Sequence, residues 1–111
     1  MRFIQYEMDP ISATADAYSE PVDISSVFAC GLHAHVITGD AKGKAYIQLS
    51  CDPINTATPA NFVTYGNHAD LTGSAVEAYA YNELCANWLR IFWDHSSGTG
   101  TVRLHIKTNG Y

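Results

Sequence analysis

Alternation of apolar and polar residues with a period of two constrains this sequence more than any other feature. In the stretch 101–107, Val102, Leu104 and Ile106 alternate with Thr101, Arg103, His105 and Lys107. In 28–38, Phe28, Cys30, Leu32, Ala34 and Val36 form one set, and Ala29, Gly31, His33 and His35 form a smaller, more polar set. Ala45, Ile47 and Leu49 alternate with Tyr46, Gln48 and Ser50, and Val76, Ala78 and Ala80 with Glu77, Tyr79 and Tyr81. Side chains in a strand point alternately to opposite faces, so each run buries one face and needs a second layer to bury it against. Further strands are expected over 2–8, 20–24, 62–65 and the apolar run 88–94. Turn chemistry between 39 and 43, and again at 95–100, predicts two hairpins, 28–38 with 45–50 and 88–94 with 101–107. A helical turn at 83–88 is the one competing local reading. The pattern predicts an all-β chain, an antiparallel β-sandwich or jelly roll of about seven or eight short strands.

At 111 residues the chain is long enough for a single self-sufficient core. The sandwich is expected over 21–111, preceded over 1–20 by an N-terminal strand and an irregular arm. That arm, most irregular over 9–21, would strap a neighbouring subunit, and deletion of 1–20 would weaken attachment to the partner and leave the fold intact. Hydrophobic residues are 47% and charged residues 15%, against about 25% charged in an average domain. That composition excludes disorder. The net charge of −5 and the absence of a basic cluster disfavour nucleic-acid binding and docking on anionic lipid. No apolar run reaches transmembrane length, and the first residues are too polar for a signal peptide, so the protein is expected to be made and kept in the cytosol, or released by lysis.

Several stretches together resemble a known group of proteins. They are Pro21-Val22-Asp23-Ile24-Ser25, then Thr38-Gly39, then the strand and turn Ala45-Tyr46-Ile47-Gln48-Leu49-Ser50-Cys51-Asp52-Pro53. Phe62 follows about ten residues later, and Ala86-Asn87-Trp88-Leu89-Arg90-Ile91-Phe92-Trp93 leads into Ser96-Ser97-Gly98-Thr99-Gly100-Thr101. This order resembles the small β-sandwich structural proteins of double-stranded DNA bacteriophages, which decorate capsids or form parts of vertices, fibres and tails. The resemblance implies a virion protein made in the host cytoplasm, with no catalytic residue and no cofactor, whose partners are copies of itself and other virion proteins.

The residues themselves leave three functions open. The first is protein contact. A low charge count and a surplus of Tyr suit permanent interfaces, and Tyr65, Tyr79, Tyr81, His33 and His35 are the candidate contact residues. Histidines in such a contact would make assembly sensitive to pH. The second is stacking of host-surface glycans on Tyr65, Tyr79, Tyr81 and Trp88, with Phe92 and one of Trp88 and Trp93 filling the core. The third is a jelly-roll metalloenzyme. His33 and His35, two apart on a strand, share a face, and His68, His95 or His105 could add a ligand, although Val36-Ile37-Thr38-Gly39-Asp40 follows the pair and no Glu stands a few residues on. Cys30, Cys51 and Cys85 lack metal-ligand spacing and read as buried reduced thiols. Ser50 and Ser97 lack a nucleophile-elbow setting. Arg90, in an apolar strand, must face solvent or pair with a carboxylate, Asp94 or Glu77. Asp52 before Pro53 suits a turn in which the carboxylate accepts local N–H groups.

Overall fold

The computed structural model describes residues 2–7, 10–25, 27–73, 76–81 and 84–110, with 2–7, 27–28 and 109–110 as backbone alone. Met8, Glu83 and the side chain of Phe28, each part of a reading above, lie outside the described residues. Among the described residues the chain forms ten strands: β1 (Arg2–Glu7), β2 (Ile11–Ser12), β3 (Ala17–Tyr18), β4 (Val22–Asp23), β5 (Val27–Gly39), β6 (Lys42–Ser50), β7 (Val63–Asp70), β8 (Val76–Tyr81), β9 (Trp88–Ser97) and β10 (Gly100–Gly110). No helix among them is long and apolar enough to cross a membrane.

The strands pair as nested arms of one long hairpin. β1 and β2 lie on β10, β3 and β4 on β9, β5 on β8, and β6 on β7, all antiparallel. The hairpin is then rolled up, because β5 also pairs with β10 and β6 with β9. The result is two stacked sheets, a first of order β1-β10-β5-β8 with β2 on β10, and a second of order β3-β9-β6-β7 with β4 on β9. This is the jelly roll that the alternation predicts. Its central strands are longer than expected: β5 runs for 13 residues and β10 for 11.

Neither predicted hairpin forms. β5 and β6 belong to different sheets, and so do β9 and β10. The glycine-rich segments turn the two-strand ribbon through a corner instead of reversing it. Gly39 pairs with Gly100 on the first sheet, and Lys42 with Ser97 on the second. Between them the Asp40 N–H donates to the Thr99 carbonyl (2.9 Å) and the Thr99 N–H donates to Asp40 Oδ1 (3.1 Å). Gly39 and Gly98 have φ of 78° and 75°, and a Cβ on either would lie 2.3 or 2.4 Å from a backbone oxygen of the other turn. Only glycine fits there. A tight reversal and a tight corner ask for the same residues, so local turn chemistry does not separate them.

The core is the set of inward positions of both sheets. Cys30, Leu32, Ala34, Val102, Leu104 and Ile106 from the first sheet meet Ala45, Ile47, Leu49, Leu89, Ile91 and Trp93 from the second. Trp93 is fully buried under the corner. A Cβ on Gly43 would stand 2.7 Å from its ring, and its Nε1 donates to His95 Nδ1 (3.2 Å). Asp9 lies outside the described residues, and the stretch 10–21 is no free arm. Ala13 is fully buried with its N–H on the Gly100 carbonyl (2.8 Å). The Ser19 N–H donates to the Ile91 carbonyl (2.9 Å), and Ser19 Oγ accepts the Ile91 N–H (2.7 Å). The segment straps the chain's own two sheets, and deletion of 1–20 would remove β1 to β3 and expose the core rather than leave the fold intact.

Candidate functional site

The outer face of the second sheet follows from the parity of β9. Leu89, Ile91 and Trp93 point inward, so Trp88, Arg90, Phe92 and Asp94 point outward. This corrects the assignment of Phe92 to the core: Trp93 fills the core, and Phe92 and Trp88 are half-exposed. In-register pairing turns the outward residues into rows across the sheet. Tyr18 of β3 pairs with Phe92, Phe92 with Tyr46 of β6, and Tyr46 with His68 of β7. Their ring centroids stand 4.9, 6.3 and 4.8 Å apart, the first two contacts stacked. Tyr18, at the end of the row, is 55% exposed. The row thus presents four aromatic rings, which cross-strand pairing stabilises.

A polar row runs beside it. Arg90 pairs with Gln48, and Gln48 with Thr64. Arg90 Nε donates to Gln48 Oε1 (2.8 Å), and Gln48 Nε2 to Thr64 Oγ1 (3.3 Å). The Arg90 guanidinium lies between two rings, 4.1 Å from the centre of Tyr18 and 4.3 Å from that of Phe62. Arg90 thus lies on the outer face, the first of the two predicted courses, with two rings and an amide beside it in place of bare solvent. It is half-buried, and two π faces and an amide oxygen stabilise its charge. A row of Asp94, Lys44 and Asp70 flanks the aromatics on the other side.

The outer face of the first sheet carries the predicted histidines. His33 of β5 pairs with His105 of β10, their rings 5.8 Å apart, and His35 lies 6.4 Å from His33. Of the three possible third ligands, His105 alone stands beside the pair, because His68 is in the aromatic row and His95 holds Trp93. Among the described residues no group of three or more His, Cys, Asp or Glu converges to hold a metal. Beside the imidazoles, Gly31, Ala78 and Ala80 floor an open hollow of about 670 Å³, which Tyr79 and Lys107 also line.

The predicted tyrosines lie elsewhere, at the seam where the edges of β7 and β8 meet. Between Tyr46 and Gln48 the register on β7 jumps from His68 to Thr64. β7 bulges there, with Gly66 at φ 70°. The Tyr81 hydroxyl donates to the Asn67 carbonyl (2.6 Å), and Asn67 Nδ2 donates to the Tyr79 hydroxyl (2.5 Å). Tyr65 and Tyr79 pack on Tyr81 at 6.4 and 5.1 Å. Tyr81 is a core residue, and burial pushes its phenol well above the usual range. The five candidate contact residues thus fall in two places: His33 and His35 on the first sheet's face, Tyr65, Tyr79 and Tyr81 at the seam. The row through Tyr18, Phe92, Tyr46 and His68, with Arg90 and Phe62, was not among them. Its signal was present, because Arg90 has the same parity as Trp88 and Phe92, and Tyr46 the opposite parity to Ile47.

Asp52 holds the long 51–62 connection closed. Its carboxylate accepts the N–H groups of Ala60 (2.8 Å) and Asn61 (3.2 Å) and the Asn61 side-chain amide (2.8 Å). These partners lie eight and nine residues on, further than the local turn expected. The bonds, led by that from Ala60, lower its pKa to about 2. The expectation of three buried thiols holds for Cys30 alone, where burial raises the pKa to about 12. Cys51 and Cys85 are exposed, because they follow and precede strands rather than lie within them. The chain matches no protein-family model and no curated protein sequence at a significant level.

Proposed function

We propose that this chain is a non-enzymatic structural protein of a bacteriophage particle, a capsid decoration, vertex or fibre component. In this reading it docks the outer face of its second sheet on copies of itself and on other virion proteins. The observation that carries the reading is the in-register row Tyr18, Phe92, Tyr46 and His68 with Arg90 held beside it. Tyr, Trp and Arg contribute most of the binding energy at protein contacts, and the centres of such contacts are depleted in charge. On this face Arg90 is already ordered by two rings and Gln48, so little side-chain entropy remains to be lost on docking. The virion setting rests on the resemblance in sequence, two of whose residues, Phe62 and Arg90, meet on this face.

Glycan stacking is the second reading, favoured by the open ring of Tyr18. A sugar site needs hydrogen-bonding groups around the ring that remain available for hydroxyls. Here Arg90 is covered on both sides and tied to Gln48, and Gln48 is tied to Thr64, which favours protein contact. Sedimentation equilibrium tests the reading. The wild-type chain is expected to form a discrete oligomer, and Tyr18→Ala to weaken it roughly tenfold or more. A monomeric wild type, or binding on a glycan array that Tyr18→Ala abolishes, would overturn it. Mass spectrometry of purified particles tests the setting: the chain is expected at a fixed stoichiometry in the virion.

A further inference from the structure

Cys51 and Cys85 meet at the end of the sandwich away from the glycine corner. Cys51 directly follows β6, and Cys85 lies three residues before β9. The two segments are strapped side by side. The Asn87 N–H donates to the Ser50 carbonyl (3.0 Å), Asn87 Nδ2 to the Asp52 carbonyl (3.1 Å) and Trp88 Nε1 to the Pro53 carbonyl (3.3 Å). Cys51 Sγ stands 3.8 Å from the carbonyl oxygen of Cys85 itself. Both residues are exposed, and both line one hollow of about 500 Å³ with Leu49, Val63 and Tyr65. Cys30, by contrast, is buried. Residues 84–86 belong to no strand, so the Cys85 side can shift without breaking a sheet ladder.

We propose that Cys51 and Cys85 form an oxidation site that closes to an intramolecular disulfide. With a disulfide oxidant such as oxidised glutathione, the thiolate of one cysteine attacks the oxidant's S–S bond and expels one glutathione thiolate. The second cysteine, losing its proton, displaces the other glutathione and completes the Sγ–Sγ bond. The two cysteines are oxidised, and the oxidant is reduced to two thiols. The bond closes a loop that carries β7 and β8, the edge strands of the two sheets, and so fastens the seam held by Tyr65, Tyr79 and Tyr81. Tying a loop of this size restricts the unfolded chain.

The test is titration of the purified chain with oxidised glutathione, read by intact mass, peptide mapping and melting. The expected product is a monomer lighter by two hydrogens, with Cys51 linked to Cys85. Its melting temperature should rise by roughly 10 °C and return to the starting value on adding dithiothreitol. Cys30→Ser should behave as the wild type, and Cys51→Ser should show neither link nor shift. Glutathione adducts without a link, a covalent dimer through either cysteine, or a link that leaves the melting temperature unchanged would overturn the proposal.

Discussion

On the second sheet, outward positions of four neighbouring strands place Tyr18, Phe92, Tyr46 and His68 in one row, with Arg90 clamped between Tyr18 and Phe62. On the first sheet, the corresponding positions hold Gly31, Ala78 and Ala80 beside separated imidazoles. Both faces cover the same core through the same alternation, so folding alone does not require the difference. A face of large rings interlocked across strands adds stability of its own, and it is the face proposed above to dock. A face with glycine near the middle of a central strand gives up stability that β-branched residues would supply.

The largest effect should come from what the two faces share. Trp93→Ala removes the largest core side chain and is expected to lower unfolding free energy by about 3–5 kcal/mol, measured by urea denaturation. Both faces should then lose their order together, and a loss confined to the second sheet would break the account of a common core. Arg90→Ala separates the faces. It should cost about 1–2 kcal/mol of stability through lost packing and cation–π contact, and weaken self-association as well. His33→Ala, on the first sheet, should stay within about 0.5 kcal/mol and leave association unchanged.

Gly31→Thr sharpens the contrast from the other side. A Cβ there meets nothing within 4 Å, and the backbone is not left-handed. The substitution should stabilise the chain by about 0.5–1 kcal/mol, seen in the same denaturation curves, with assembly unaffected. Loss of assembly would move the contact to the first sheet. The smallest and most local effect belongs to Asp52, whose folded pKa of about 2 lies below its ordinary 3.8. A lowered pKa contributes stability above the ordinary value and loses it as pH falls through the folded one. The wild type should therefore melt higher than Asp52→Asn at neutral pH, and the gap should close between about pH 4 and 2.

Alternation around Leu104, Ile47 and Leu89 was enough to read the class of fold, because burial of one face per strand is a local property of the sequence. The pairing was not legible in the same way. Gly39, Gly98 and Gly100 announce sharp bends, but whether a bend reverses a strand or passes it to the other sheet depends on partners sixty residues away. The arm over 9–21 looked irregular because β2 and β3 are two residues each, too short to show a period. At the site, His33 and His35 were placed on one face correctly, while the aromatic row was missed. Phe92 and Trp93 are neighbours of equal apolarity, and only the fixed parity of Leu89 and Ile91 decides which one is buried. Tyr18 comes from a strand that composition does not reveal.

The proposed contact uses the second sheet's outer face and not the first sheet's. Hydroxyl-radical footprinting of the chain, dilute and then assembled, compares the two faces within one sample. Tyr18, Tyr46 and Phe92 should lose reactivity on assembly while His33 and His35 keep theirs. Protection of His33 and His35 with Tyr18 left reactive would contradict it.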